Sequence, residues 1–184
     1  MPAEQSARIA WLYAEFQGRD GVIDEAWRAG PGSAEGIYSR ASSTHSRAAG
    51  EVHASFVGER SFTSSRGFPV NAGSLSVLSA EGSVAGIYSV NTGGGGISHR
   101  TRNGPLPPGV YRVSNHRPDR TRAGMAYDGV GFSFDLDPFG DTVVFGRTLF
   151  RIHPDGGNPG TNGCLGIREP AARLRQAEEQ ILDL

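Results

Sequence analysis

Between Ser74 and Val90 the chain writes two β-type segments around a turn. In Ser74–Ser79, Leu75, Val77 and Ser79 alternate with Ser74, Ser76 and Leu78, and Val84–Val90 carries Val84, Ile87, Tyr88 and Val90. Ala80-Glu81-Gly82-Ser83 separates them and suits a hairpin turn. A period of two sends successive side chains to opposite faces of a sheet, which a helix cannot exploit. The same texture continues: Val52–Val57, Val110–Ser114, Gly131–Leu136, Thr142–Phe145 and Leu149–His153 read as strands, with a polar loop at 115–129. Twenty-seven glycines and 37% hydrophobic residues favour a loop-rich β protein over a helical bundle.

Helical spacing is confined to the ends. Residues 4–17 read as an amphipathic helix, with Ile9, Leu12, Tyr13 and Phe16 recurring and Gly18 as a stop. A further helical turn is expected over Ile23–Ala29, before Gly30-Pro31-Gly32. Residues 30–50, rich in Gly, Ser and Ala, form a linker or a long surface loop. A closing helix spans 170–182, where Pro170 suits the first turn and Leu174, Ala177 and Ile181 share a face. The expected fold is mainly β, an antiparallel sandwich or barrel with short N- and C-terminal helices. It divides into a helical segment and linker at 1–50 and a β domain at 51–184.

A chain of 184 residues fits one domain with a real core, or one domain plus a small appendage. Its net charge of -1 gives no electrostatic reason to bind nucleic acid or an anionic membrane. No run approaches the roughly 18 apolar residues of a membrane span. The first twenty residues carry Glu4, Arg8, Glu15 and Arg19 and lack the apolar core of a signal peptide. The protein is expected in the cytoplasm, or exported by a route without a cleavable leader.

Chemistry concentrates in Arg151–Ile167. Cys164 is the sole cysteine, so it acts as a thiol and forms no internal disulfide. His153 lies at the end of a β-type run, a Gly/Pro/Asn-rich loop follows, and Cys164 comes directly after Gly163. The thiolate is the nucleophile, and a nearby imidazole is the usual means of making it at neutral pH. Gly163 lets a substrate carbonyl approach closely, so the amides around Cys164 suit an oxyanion hole. If Leu149–His153 is a strand, Arg151 shares a face with His153. Arg151 is then either a fork for a carboxylate or an ordinary surface arginine, and Arg168 has the same two readings.

Thr161-Asn162-Gly163-Cys164-Leu165 resembles the Ser/Thr-His-Gly-Cys-apolar segment of the L,D-transpeptidases (YkuD-type catalytic domain) in four of five places. The upstream elements are similar and in the same order: Ser89-Val90-Asn91-Thr92-Gly93-Gly94, then Pro107-Pro108-Gly109-Val110-Tyr111-Arg112-Val113. The resemblance covers about residues 70–168. Two departures stand out: the His-to-Cys spacing is eleven, and Asn162 replaces the family's histidine. Both resemble a compact branch that includes interbacterial toxins delivered by type VI secretion.

The resemblance implies a cysteine-dependent L,D-transpeptidase or L,D-carboxypeptidase acting on peptidoglycan stem peptides, with no cofactor. Cys164 is then the nucleophile and His153 the general base, and the Gly163 and Cys164 amides stabilise the oxyanion. Arg151, Thr161, Asn162 and Arg168 fall in the substrate-binding stretch. The compact branch further implies secretion into the periplasm of a target bacterium, a cognate immunity protein and a secretion machine as partners.

Rival chemistries fit less well. His45, His53, His99, His116 and His153 are scattered, with no HExxH and no close pair, so no metal site is expected. Papain-like and NlpC-like enzymes place the cysteine before the histidine, whereas no histidine follows Cys164. Gly93–Gly96 lacks the following Lys-Ser/Thr of a phosphate loop and reads as a flexible loop over the cleft or a hairpin end. The rival from another class is a non-enzymatic wall-binding or structural module on the same β fold.

Overall fold

The computed structural model describes residues 10–16, 52–64, 67–96, 98–157 and 160–184. Eight strands close into a barrel: β1 (Ala10–Phe16), β2 (Val52–Thr63), β3 (Pro69–Leu78), β4 (Val84–Thr92), β5 (Gly109–Arg117), β8 (Ser133–Phe139), β9 (Arg151–Pro154) and β10 (Leu165–Ile167). Around the barrel the order is β1-β2-β3-β4-β10-β9-β8-β5, and β5 returns to β1. Two short strands, β6 (Ala126–Tyr127) and β7 (Val130–Gly131), form a separate hairpin. One helix, α1 (Ala171–Leu182), follows β10 and buries Leu174, Ala177 and Ile181. Among the described residues no helix is long and apolar enough to cross a membrane.

The expected mainly-β architecture is therefore a closed barrel, and its sheet is mixed. The β1–β2 and β9–β10 pairs are parallel, and the others are antiparallel. Alternation fills the lumen. Phe134 and Leu136 from β8, Ile152 from β9, and Leu165 and Ile167 from β10 are buried, with Phe56, Leu75, Tyr88 and Tyr111 from other strands. Tyr88 and Tyr111 satisfy their hydroxyls by donating to Gln180 Oε1 at 2.5 Å and to the Pro107 carbonyl at 2.6 Å.

The N-terminal helix is corrected over Ala10–Phe16, which is a barrel strand pairing with both β2 and β5. Leu12, Tyr13 and Phe16 satisfy a helical spacing, but Ala10, Leu12, Ala14 and Phe16 equally satisfy a period of two. Ala10, Leu12 and Ala14 are buried, and Phe16 packs against the core. Trp11, on the other face, is covered by the Phe139 ring at 4.4 Å. Small alanines on the inward row hid the strand. The rest of the expected helix, the turn at Ile23–Ala29 and the linker at 30–50 lie outside the described residues.

Thr142–Phe145 is also corrected: it belongs to no strand. Both edges of β8 are occupied, by β5 and β9, so the closed barrel leaves this segment no partner. It turns instead. Thr142 Oγ1 donates to the Phe139 and Val110 carbonyls at 2.7 and 3.0 Å, and Phe145 takes a left-handed φ of 53°.

Candidate active site

The parallel β9–β10 pair organises the site. Leu165 lies beside Ile152 and Gly166 beside His153, so Cys164 falls one step earlier, beside Arg151. Ile152 and Leu165 point into the core, hence Arg151, His153, Cys164 and Gly166 share the outward face. Two rungs run across the strands. Asp135 on β8 is registered with Arg151, next to Cys164. His153 is registered with Gly166, and Gly166 with Asn91 on β4.

A parallel connection must run back along its strand, and residues 155–157 and 160–164 lie on the outside of the sheet. Asp155 anchors the start: its carboxylate accepts from Asn91 Nδ2 at 3.0 Å, the Gly157 amide at 2.9 Å and Arg168 Nε at 3.2 Å. Thr161 anchors the end, donating from Oγ1 to the Cys164 carbonyl at 2.6 Å and exchanging bonds with Gly93. Gly166 admits this packing, because a Cβ there would stand 2.9 Å from Asp155 Cβ and 3.1 Å from Asn91 Oδ1.

His153 is buried, and burial holds its imidazole below the usual histidine range, with the Arg151 and Arg120 charges adding to the effect. A bond to the Pro154 carbonyl and the Asp155 charge oppose it. His153 Nδ1 lies 2.6 Å from the Pro154 carbonyl oxygen, which can only accept. The proton is therefore on Nδ1, and the neutral ring keeps its lone pair on Nε2. That is the tautomer a general base needs.

Cys164 is half-buried, and burial pushes its thiol up. The Arg151 backbone and the Arg151 and Arg147 guanidinium charges pull the other way, while Asp135 adds to the rise. The thiol donates to the Leu149 carbonyl at 3.7 Å, and no hydrogen bond joins it to His153 among the described residues. The histidine and cysteine are thus brought onto one face of paired strands, with burial favouring the protonated thiol.

The remaining expected residues are placed as follows. Gly163 is buried with φ 97°, and a Cβ there would meet the Arg147 guanidinium, so only glycine fits without displacing it. Outside strand ladders, no hydrogen bond among the described residues is donated by the Gly163 or Cys164 amide. Arg151 Nε donates to Asp135 Oδ1 at 3.0 Å, so its fork already has a carboxylate partner on one side. Thr161 spends its hydroxyl on the loop, Asn162 is exposed, and Arg168 pairs with Asp155.

Two residues at the site, Asp135 and Arg147, carried no motif, and a third, Asn91, lay in the Ser89–Gly94 element without an assigned role. Asp135 takes both Arg117 η nitrogens at 2.7 Å as well as Arg151, which holds its carboxyl down to about 2. Arg147 donates to the carbonyls of His99, Pro105, Gly104 and Asn162, tying the 98–106 loop to the segment before the cysteine. Asn91 bridges Asp155 and the Gly160 amide. Of the signals that would find them, only the Asp155-Gly156-Gly157 turn is local; the others depend on strands distant in sequence.

Among the described residues no group of three His, Cys, Asp or Glu side chains is arranged to hold a metal ion. A cavity of about 310 Å³ lies away from this chemistry, lined by Asp119, Val130, Arg175, Glu178 and Leu182. The Cys164 thiol meets the 141–150 segment at the Leu149 carbonyl instead, and Leu149 and Phe145 in that segment are exposed apolar residues. Comparison with protein-family models, curated proteins and solved structures finds no match to this chain.

Proposed function

We propose that the protein is a cysteine acyltransferase or peptidase of L,D-transpeptidase type, acting on peptidoglycan stem peptides. The observation that carries the reading is the shared outward face of His153 and Cys164, with the Pro154 carbonyl fixing the base tautomer. In the reaction, His153 Nε2 takes the thiol proton and the Cys164 sulfur attacks the carbonyl of the diaminopimelate residue. The amides of Gly163 and Cys164 hold the oxyanion. The terminal D-Ala amine leaves with the proton from His153, and a thioester remains. Water as acceptor then gives carboxypeptidase activity; an amine gives exchange or cross-linking. Arg151 and Arg147 favour the thiolate over the thiol once substrate displaces the Leu149 bond.

The setting we propose, an antibacterial effector secreted into the periplasm of a rival and neutralised by an immunity protein in the producer, rests on the sequence resemblance alone. Digestion of disaccharide tetrapeptides by wild type and Cys164→Ala, read by mass spectrometry, tests the chemistry. Loss or replacement of terminal D-Ala with wild type only supports the enzyme.

One observation favours the non-enzymatic module: the thiol is pushed up by burial and bonded to the Leu149 carbonyl. That reading predicts unchanged muropeptides with both proteins.

A further inference from the structure

His153 points away from the core, yet it is only 4% exposed. Besides its strand neighbours, β9 packs against β6 and β7, the hairpin that lies apart from the barrel sheet. Asp128 and Gly129 close that hairpin between Tyr127 and Val130, both with left-handed backbones, φ 49° and 74°. Glycines seat the excursion on the segment that follows the histidine. A Cβ on Gly156 would run into Gly124, and one on Gly157 would stand 3.2 Å from the Tyr127 ring.

Arg120 is rooted in the same wall. Its amide donates to the Gly131 carbonyl at 2.9 Å, and a Cβ on Gly131 would collide with the Arg120 carbonyl. Two guanidinium charges act on the imidazole, those of Arg151 and Arg120. Arg151 already holds the Asp135 carboxylate. Arg120 is half-buried, and among the described residues its side chain bonds only the Met125 sulfur, at 3.5 Å, with no carboxylate in ion-pair reach. A thioether is a weak acceptor, so the fork and its charge are left for another partner.

The leaving D-Ala amine takes its proton from His153 and must stand beside the ring to do so. In D-Ala the amine and the carboxylate share one carbon. A negative group therefore arrives next to His153 with the substrate, and leaving water there is costly unless a cation meets it.

We propose that Arg120 receives the C-terminal carboxylate of the stem peptide, and so makes a free carboxylate a condition for cleavage. This rests on the catalytic reading given above. Arg120 makes and breaks no bond of the reaction. The sulfur–carbon bond forms, the carbon–nitrogen bond breaks, and D-Ala leaves with the proton from His153 on its amine.

The test compares the disaccharide tetrapeptide with the same molecule ending in a carboxamide, for wild type and Arg120→Gln. Wild type is expected to favour the acid by about tenfold or more in kcat/KM, chiefly through KM. Arg120→Gln abolishes that preference, and Arg120→Lys keeps part of it, as a cation without the planar fork. Equal use of acid and amide by wild type overturns the proposal without recourse to any variant. A folded Arg120→Gln that keeps the preference, or that loses both substrates alike as a purely structural arginine would, also overturns it. Calorimetry on Cys164→Ala adds an arm that needs no turnover: the acid is expected to bind about tenfold more tightly than the amide, and Arg120→Gln in the same background removes the difference. If wild type turns over neither molecule while this binding preference is present, the catalytic reading falls and the carboxylate site stands. Equal binding of the two, or none, overturns the site.

Discussion

The Cys164 thiol donates to the Leu149 carbonyl oxygen at 3.7 Å, and Leu149 holds that carbonyl from a left-handed backbone, φ 65°. A γ-branched residue in this region is strained, and Leu149 recovers little by packing, since it is 73% exposed. The strain sits where the resting thiol is held. Leu149→Gly should therefore stabilise the fold by about 0.5–1 kcal/mol, visible as a higher Tm. A simultaneous loss of muropeptide turnover would show that the exposed Leu149 side chain also contacts substrate.

The pH dependence follows from His153 and Cys164 being displaced in opposite directions. On the proposed catalytic reading His153 must be neutral to act as base, and its depressed value should carry the acid limb of kcat/KM below the ordinary histidine range near 6.5. Because the folded value is the lower one, the neutral ring contributes stability above about pH 6.5, lost as pH falls through the folded value. Iodoacetamide labelling of Cys164 should accelerate with pH beyond 8.5, since burial delays its ionisation. A labelling rate already flat at pH 7 would contradict this.

Asp135 is the counter-charge to both Arg151 and Arg117. Its carboxyl is held down to about 2, so its ion pairs stabilise the fold above about pH 4 and release that stability as pH falls toward 2. Asp135→Asn should cost about 1–2 kcal/mol at pH 7, discounted for partial exposure, and almost nothing at pH 2. The same change removes a negative charge that opposes thiolate formation, so alkylation of Cys164 should speed up by about two- to fivefold at fixed pH. Denaturant melts at the two pH values and one labelling time course check both halves.

Leu12 is fully buried in a strand that closes the barrel between β2 and β5. Leu12→Ala should cost about 2–5 kcal/mol, measured by urea unfolding. If residues 10–16 served only for docking or delivery, this substitution would leave stability unchanged.

The strands with clean alternation were visible in sequence, and so was the histidine–cysteine pair, because a lone cysteine after glycine is a local signal. β1 was not, since alanines on its inward row broke the apolar period while Leu12, Tyr13 and Phe16 mimicked a helical one. β10 is three residues long, too short for any period to register. Asp135 and Arg147 reach the site only because β8 neighbours β9 and because one guanidinium bonds both the 98–106 loop and the Asn162 carbonyl. Nothing in the residues around either one announces that arrangement.

On β8, β9 and β10 the outward residues and the residues that fill the core alternate one by one: Phe134 between Ser133 and Asp135, Ile152 between Arg151 and His153, Leu165 between Cys164 and Gly166. Gly166 is held by its contacts with Asp155 and Asn91, but a partly exposed outward residue such as Cys164 can be exchanged while its inward neighbours go on filling the barrel, so descendants of this chain can change that face and keep their shape. The weakness of such a plan is phase. A slip of one residue along any of these strands would bury the polar set and turn the core outward, and the clasp of Asn91, Asp155 and Thr161 across the connecting loop works against that slip.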